Sequence, residues 1–251
     1  MSLENRLALV TGGSRGIGRG IALALAAEGA DIAINYVRDE NAAAETADEI
    51  RKMGRRANVY QAAVQNYDED REMVERITSE MGQIGILVNN AGIASKGRTV
   101  VDTDPGEVGK LIGIHALSAH YLSALCLPGM RTQKRGDIVM ISSVATKYLS
   151  ANGAPYNMAK AALEALAATL YKEEVGYNIR VNVVAPGLVE TEMGKRLARA
   201  TQGVEDIRIL DTNMPFGRVC QPEDIANVVT FLVSDRNSYI TGEKLYVNGG
   251  A

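Results

Sequence analysis

The stretch Leu7-Ala8-Leu9-Val10-Thr11-Gly12-Gly13-Ser14-Arg15-Gly16-Ile17-Gly18 decides the fold. Four apolar residues that stop at glycines are typical of a buried strand, and the alanine-rich residues 19–28 that follow predict a helix. Glycines let a pyrophosphate approach the backbone, and the helix N-terminus offers it unpaired N–H groups. The stretch therefore predicts a dinucleotide site, and a loop that simply needs glycines with positive φ is the alternative. The residues expected to contact the dinucleotide here are Gly12, Ser14, Arg15, Gly16, Ile17 and Gly18.

Outward from this turn, apolar runs alternate with helical patterns to the end of the chain. Strands are predicted at residues 7–10, 32–36, 59–64, 86–89, 137–142, 180–185 and 244–247, and helices at 19–28, 42–53, 68–81, 107–127, 156–175 and 222–234. This alternation predicts an α/β fold: a single Rossmann-type, doubly wound domain over residues 1–251, with a parallel sheet of about seven strands and helices on both faces. Residues 187–215 are the least regular stretch, and we expect them to cover a site.

Composition and charge exclude several classes of function. The formal net charge is −3 and no strongly basic stretch occurs, so nucleic-acid binding is not expected. Cys126 and Cys220 have no metal-like spacing, which indicates free thiols, a reducing cytoplasmic location and no metal site. Residues 111–130 lack charged side chains. A membrane span is one interpretation of them, but His115, His120 and Pro128 favour a helix buried in the core or in a subunit interface.

The end of the second strand indicates which dinucleotide binds. Enzymes that use NAD tend to place an acid there to accept from the ribose 2′-OH, whereas this chain has Tyr36. Arg15 in the turn and Arg38 after the strand suit a 2′-phosphate. The sequence therefore predicts NADP, with NAD second, and the alternative is two solvated surface arginines.

A second pattern carries catalytic chemistry. Tyr156 and Lys160 are four residues apart on a predicted helix, so they share a face, and Ser143 ends the fifth strand. A phenol with a pKa near 10 is a poor acid–base catalyst at neutral pH, and a nearby ammonium lowers that pKa. A serine hydroxyl can hold a substrate oxygen. A Tyr-x3-Lys pair taken alone is common and usually has no catalytic meaning.

Taken together and in order, these motifs resemble the short-chain dehydrogenase/reductase (SDR) family along the whole chain. The motifs are the turn at 11–18, Asn89-Asn90-Ala91-Gly92, Ser143, Tyr156-x3-Lys160 and Pro186-Gly187. The resemblance is greatest to NADP-dependent 3-oxoacyl-(acyl-carrier-protein) reductases. It implies that Tyr156 is the general acid–base, that Lys160 binds the nicotinamide ribose and tunes Tyr156, and that Ser143 holds the carbonyl oxygen. It also implies cofactor contacts by the Val64 backbone, Asn90, Ala91 and Gly92 towards the adenosine, and by Pro186, Gly187, Val189 and Thr191 at the nicotinamide end.

The resemblance further implies a substrate lid at residues 188–215 and a homotetramer paired through residues 107–127 and 156–175. The expected pocket residues are mostly apolar and include one cation: Ala94, Ser95, Lys147, Tyr148, Leu149, Met193 and Leu197. Such a pocket suits a small-molecule substrate such as a hydrophobic ketone, a 3-oxoacyl thioester or a cyclic alcohol.

The chain departs from the family pattern at three places. The family's asparagine in the long helix bends that helix and helps hold a water on a proton relay to the lysine; here it is His115. We favour the interpretation that this histidine is tolerated, and the alternative is that it titrates within the relay. Ala63 replaces an aspartate that often contacts adenine. Lys134 and Arg135 match a basic flank typical of reductases that act on acyl carrier protein, but Tyr177 stands where a second basic residue is frequent.

These observations predict an NADP(H)-dependent oxidoreductase that interconverts a carbonyl and a secondary alcohol. A sugar-nucleotide epimerase or dehydratase shares Tyr-x3-Lys, but such chains are usually longer. A cofactor-binding sensor or scaffold without turnover is the remaining alternative, and intact Ser143, Tyr156 and Lys160 argue against it.

Overall fold

The first strand shows how the sequence builds two cores. In the computed structural model, which describes residues 3–250, Ala8 and Val10 face one apolar cluster, and Leu7 and Leu9 face another. Successive side chains of a strand point to opposite faces. A strand that is apolar at every position therefore requires helices on both sides of its sheet.

Seven strands form one parallel sheet, as predicted. They are β1 (Leu7–Val10), β2 (Asp31–Tyr36), β3 (Ala57–Gln61), β4 (Ile84–Asn89), β5 (Gly136–Ile141), β6 (Ile179–Pro186) and β7 (Lys244–Val247). Their order is β3-β2-β1-β4-β5-β6-β7, and each neighbouring pair is parallel. The order reverses between β1 and β4, which is where open α/β sheets bind ligands.

Helices cover both faces of the sheet. They are α1 (Gly16–Ala27), α2 (Glu40–Lys52), α3 (Tyr67–Met81), α4 (Pro105–Ile112), α5 (Ser118–Met130), α6 (Ala145–Tyr148), α7 (Ala154–Glu174), α8 (Glu192–Gln202) and α9 (Pro222–Val233). Residues of α1, α2 and α9 belong to one core, and residues of α3, α5 and α7 belong to the other. The predicted Rossmann-type α/β architecture is confirmed.

The long helix predicted at residues 107–127 is not a continuous α-helix. A π-helical segment, Gly113–Leu117, separates α4 from α5 and contains His115. The hydroxyl of Ser118 donates to the Ile114 carbonyl at 2.6 Å, so a side chain bonds a carbonyl in this wider turn. Such π-turns frequently occur at functional sites.

The stretch Pro105–Met130 is also apolar and long enough to cross a membrane. Just over half of its most apolar window, 56%, is buried inside the protein. It packs against α3 and β4, as a core helix does.

The expectation that residues 187–215 are irregular is wrong. They contain α8 and a 3₁₀ segment, Ile207–Asn213. Ala198, Ile207, Leu210 and Val219 form a small apolar cluster of their own. Because this segment buries apolar side chains against itself, it folds into defined structure rather than running as an open loop.

Charged groups fasten the amino-terminal edge of the sheet. Asp137, at the start of β5, is buried and pairs with Arg6 at 2.7 Å and with Arg135 at 2.8 Å. Arg135 also donates to the carbonyls of Ser234 and Leu232 at the end of α9. The buried carboxylate is thus paired and hydrogen-bonded, as burial of a charge requires.

Candidate functional site

The turn after β1 has a shape that side chains would obstruct. Gly12 and Gly16 adopt φ values of +60° and +55°. A Cβ added to Gly18 would lie 2.3 Å from the Gly12 carbonyl oxygen. Arg15 precedes α1 without a side-chain cap, and the first turn of the helix contains no acidic residue among those described. The backbone therefore presents the open N–H groups and partial positive charge that fit a pyrophosphate.

Two side chains that sequence reasoning missed hold this turn. Asn35, fully buried in β2, accepts from the Gly12 N–H at 3.2 Å and donates to the Ala62 carbonyl at 3.0 Å. The Thr11 hydroxyl accepts from the backbone N–H groups of Asn90 and Ala91, both at 2.9 Å. Asn35 was detectable as a polar residue inside an otherwise apolar strand.

The Asn90–Gly92 segment, after β4, packs directly on the turn. The Asn90 amide donates to the Thr11 carbonyl at 2.8 Å. A Cβ on Gly12 would lie 3.2 Å from the Ala91 Cα. The structure thus brings together two segments that are about 80 residues apart in the sequence.

Residues expected near the adenosine lie at the ends of β2 and β3. Tyr36 and Val64 are buried, whereas Arg15 and Arg38 are exposed. Within residues 3–250, neither arginine forms an ion pair. Their guanidinium groups are therefore available to an external anion.

The expected nicotinamide contacts follow β6. The Gly187 N–H donates to the Val247 carbonyl at 3.0 Å, and Val189 is buried. Thr191 caps α8 by accepting from the Gly194 N–H at 3.0 Å. The same threonine lies beside the glycine-rich turn, since a Cβ on Gly16 would be 3.3 Å from its Cγ2. The start of α8 and the turn are thus in contact.

Ser143 and Tyr156 meet at the carboxyl edge of the sheet. Ser143 follows β5, and its hydroxyl is close enough to Tyr156, near the start of α7, to influence the pKa of the phenol. The Ala145 N–H donates to the same serine oxygen at 3.1 Å. Burial raises the pKa of Tyr156, and the Ser143 hydroxyl counters that effect.

Lys160 lies one helical turn beyond Tyr156 and is buried. Its Nζ donates to the Ile141 carbonyl at 2.6 Å and is 5.7 Å from the centre of the Tyr156 ring. Burial lowers the pKa of Lys160 to about 7, against the opposing effect of Glu164. The expected lowering of the Tyr156 pKa by Lys160 is not seen: burial dominates, and the group that counters it is Ser143.

His115 connects the Asn90–Gly92 segment to Tyr156. Its Nε2 is 2.9 Å from the Ile93 carbonyl oxygen and 3.2 Å from the Ile93 nitrogen. Its ring stands edge-on to Tyr156 with 5.3 Å between centroids, and its Cε1 would be 2.4 Å from a Cβ on Gly92. Burial and Lys160 lower the pKa of His115 to about 3. The imidazole is therefore neutral at pH 7, which argues against titration within a relay.

In the described part of the chain, no group of three or more His, Cys, Asp or Glu side chains is arranged to hold a metal ion. His120 contacts Tyr121 at 6.2 Å between ring centroids.

The expected pocket residues form an open, mostly apolar surface. Tyr148, Leu149, Met193 and Leu197 are each exposed by more than a third. Lys147, the expected cation, lies 5.0 Å from the centre of the Tyr148 ring and 5.5 Å from that of Tyr246 on β7. Its charge is therefore stacked on aromatic rings.

The chain resembles known proteins along nearly its whole length. The family model described as "Enoyl-(Acyl carrier protein) reductase" matches residues 12–251. The 3-oxoacyl-[acyl-carrier-protein] reductase FabG of Escherichia coli is 38% identical over 250 residues, covering 100% of this chain and 98% of the relative. An uncharacterized oxidoreductase of Bacillus subtilis, YmfI, is 38% identical over 248 residues, covering 98% of each chain.

A solved structure is also similar to this chain along its whole length. A blue fluorescent protein from a metagenomic library, in complex with NADPH, superposes with a TM-score of 0.90 and 30% identity, covering 100% of this chain and 99% of that one. The glycine-rich turn and the Ser143, Tyr156 and Lys160 cluster lie at one edge of the same sheet, and the relatives cover nearly the whole chain. The chain therefore belongs to the short-chain dehydrogenase/reductase family of NAD(P)-binding oxidoreductases.

Proposed function

We propose that this protein is an NADP(H)-dependent oxidoreductase that interconverts a carbonyl and a secondary alcohol. The observation that carries the proposal is the grouping of three side chains: buried Lys160 has its Nζ 5.7 Å from the centre of the Tyr156 ring, and the Ser143 hydroxyl counters the burial that raises the pKa of the same tyrosine. These groups lie at the carboxyl edge of the sheet, as does the uncapped N-terminus of α1. Proton donor, oxygen-binding hydroxyl and dinucleotide turn thus face a common region.

Each side chain has a chemical role in this proposal. The nicotinamide cofactor supplies or accepts the hydride when bound. The Tyr156 hydroxyl gives its proton to the substrate oxygen as that oxygen gains negative charge. Ser143 donates to the same oxygen and orients it. Lys160, in its ammonium form, stabilises the phenolate left when Tyr156 gives up its proton, and this opposes the burial that raises the Tyr156 pKa before the reaction.

The preference for NADP rests on charge at the end of β2. Arg15 and Arg38 are exposed, and Tyr36 stands where an acid would accept from a ribose 2′-OH. Charge-assisted contacts to a phosphate are strong. We expect kcat/KM for NADPH to exceed that for NADH, and Arg15→Ala combined with Arg38→Ala to abolish the difference while leaving the NADH value within about twofold. Equal use of both cofactors by the parent protein would contradict this assignment.

The substrate we propose is a small hydrophobic ketone or a 3-oxoacyl thioester. Arg135, expected on a basic flank for acyl carrier protein, instead pairs with buried Asp137. Tyr177 lies beneath Arg131, with 4.4 Å between the guanidinium carbon and the ring centre. Lys134 is the exposed cation left from the expected pair, so the carrier protein is not part of the proposal.

Assembly and location follow from the same reasoning. The expected pairing helices expose Leu117 and Met158 by about half, which supports a homotetramer, measurable by light scattering. The free thiols Cys126 and Cys220 support a cytoplasmic location.

The experiment that tests the function is a spectrophotometric assay of the purified protein. NADPH and NADH oxidation are followed across a panel of ketones and 3-oxoacyl thioesters. Tyr156→Phe should lower kcat by about 100-fold or more, because general acid catalysis is lost, with little change in the Kd for NADPH. Undiminished turnover by Tyr156→Phe would overturn the mechanism. Tight NADPH binding without turnover on any substrate would favour a sensor or scaffold.

A further inference from the structure

Glu164 occupies a position behind the proposed catalytic groups. It lies on α7 one turn after Lys160, and its side chain is 17% exposed. One carboxylate oxygen accepts from the Ser142 hydroxyl at 2.6 Å and the Thr146 hydroxyl at 2.8 Å. The other accepts from Lys244 on β7 at 2.8 Å. A single carboxylate thereby joins four elements: the end of β5, α6, α7 and β7.

Two of these partners flank Ser143 in the chain. Ser142 precedes it directly, and Thr146 follows three residues later at the start of α6. Hydrogen bonds to an ionised acceptor are shorter and stronger than neutral ones, and the 2.6 and 2.8 Å distances agree with that. Glu164 therefore holds the chain on both sides of the serine.

The same carboxylate acts electrostatically on Lys160. The groups that face Lys160 are Tyr156 on its own helix, the neutral ring of His115 from the π-helical segment, and the Ile141 carbonyl from β5. Burial disfavours the ammonium ion, and Glu164 is the carboxylate that opposes this effect. An opposite charge one helical turn away favours the charged form.

We propose that Glu164 is a positioning residue of this site: its carboxylate holds the segment that carries Ser143 and favours the ammonium form of Lys160 one helical turn away, while Lys244 moderates its charge. The inference rests on the proposed function for its catalytic meaning. Its physical content, the charge state of Lys160, is measurable without turnover. The inference also predicts that the two partners of one ion pair have opposite effects on the pKa of Lys160. Removing Glu164 removes a negative charge, whereas removing Lys244 leaves that charge unneutralised.

The test measures the titration of Lys160 directly in the full-length protein. Lysine is labelled with ¹³C at the ε-carbon, and the Lys160 NMR signal is assigned by its absence in Lys160→Arg. In Glu164→Gln, which keeps the shape of the side chain, the pKa of Lys160 should fall by about one pH unit. In Lys244→Met it should rise. Glu243→Gln is the matched control because Glu243 is an exposed neighbour of Lys244, and it should leave the titration in place.

The pH–rate profile gives the second readout. If Lys160 acts as the ammonium ion, the alkaline limb of kcat should move to lower pH in Glu164→Gln and to higher pH in Lys244→Met. If Glu164 had a merely structural role, kcat would fall in both Glu164→Gln and Lys244→Met, and the alkaline limbs of the two pH–rate profiles would stay at the same pH. Unchanged titration of Lys160 in both variants, or shifts in the same direction, would overturn the inference. Opposite NMR shifts in a protein without turnover would leave the inference standing and sink the proposed function.

Discussion

The glycine-rich turn and the cluster of Ser143, Tyr156, Lys160 and His115 lie at the same sheet edge but are built by different means. The turn is made by backbone: positive φ at Gly12 and Gly16, and no room for a Cβ at Gly18. The cluster is made by buried polar side chains, whose burial moves the pKa values of Tyr156, Lys160 and His115. Steric fit therefore shapes the proposed dinucleotide site, whereas desolvation sets the pKa values of the proposed acid–base groups. Substitutions can separate the two.

The largest effect is expected from Gly18→Ala. The added Cβ would lie 2.3 Å from the Gly12 carbonyl oxygen, a backbone atom that no side-chain rotation can move. Overpacking of 1–3 kcal/mol predicts up to about a 100-fold rise in the Kd for NADPH, measured by fluorescence titration. Gly109→Ala on α4, where a Cβ has no neighbour within 4 Å, is the control. Normal NADPH affinity in Gly18→Ala would refute a sterically defined turn.

A smaller effect is expected where backbone and cluster meet, at Gly92. A Cβ there would lie 2.4 Å from the His115 ring, which is a side chain and can yield partly. Gly92→Ala should lower kcat/KM by about tenfold. Because asparagine is smaller than histidine, His115→Asn should restore much of that loss in the double variant. Strict additivity of the two substitutions would show that the contact carries no energy.

The pH dependence of turnover tests the side-chain cluster alone, because the glycine-rich turn is made of backbone groups that do not titrate. With its pKa lowered to about 3 by burial, His115 remains neutral from pH 5 to 8. His115→Gln should therefore preserve the shape of the pH–rate profile in that range, changing kcat by a few-fold through packing alone. Loss of a limb between pH 5 and 8 in His115→Gln would instead assign a titration to the histidine.

The smallest effect concerns a buried acid outside both regions. Asp70 on α3 is fully buried, its two oxygens lack partners within residues 3–250, and burial raises its pKa to about 8. The pKa of Asp70 is therefore higher in the folded protein than in the unfolded chain. Such a group adds to the stability of the fold at a pH below its unfolded pKa, and this contribution is lost as the pH rises through the folded pKa. Asp70→Leu should raise Tm by about 2–4 °C at pH 6 and by more at pH 9, measured by calorimetry. Exposed Asp68→Asn is the control, and a lower Tm in Asp70→Leu at pH 9 would contradict burial as the cause.

The sequence predicted much of the fold because its signals there are local. All seven strands appear, most of them with ends shifted by one or two residues, since apolar runs that stop at glycines mark buried strands. The π-helical segment at residues 113–117 was not predictable, because it depends on the packing of His115 against Ile93 and Tyr156. Helix α8 was missed because its polar composition resembles that of a loop.

The candidate site also has features that the sequence predicted and features that it did not. Ser143, Tyr156 and Lys160 were singled out by the order and spacing of several motifs and by the family resemblance that these carry, and the structure brings them together. The Tyr156 pKa was expected to be lowered and is instead raised, because desolvation depends on atoms distant in the sequence.

Asn35 was overlooked although it stands out among the apolar residues of β2. Glu164 was overlooked because its partners Ser142, Thr146 and Lys244 come together with it only in the fold. Arg135 was placed on a basic flank although Asp137 stands only two residues further on, because the sequence does not show that this carboxylate is buried or that Arg135 also binds the carbonyls of Ser234 and Leu232.

The ion pairs of Asp137 with Arg6 and Arg135 have a consequence for how this protein can change. They fasten the sheet at the edge opposite the site, whereas Glu164 links elements at the carboxyl edge. Directed evolution for new substrates can therefore sample the exposed residues of 93–101 and of α8 while leaving both sets of ion pairs, Val189 and Thr191 untouched.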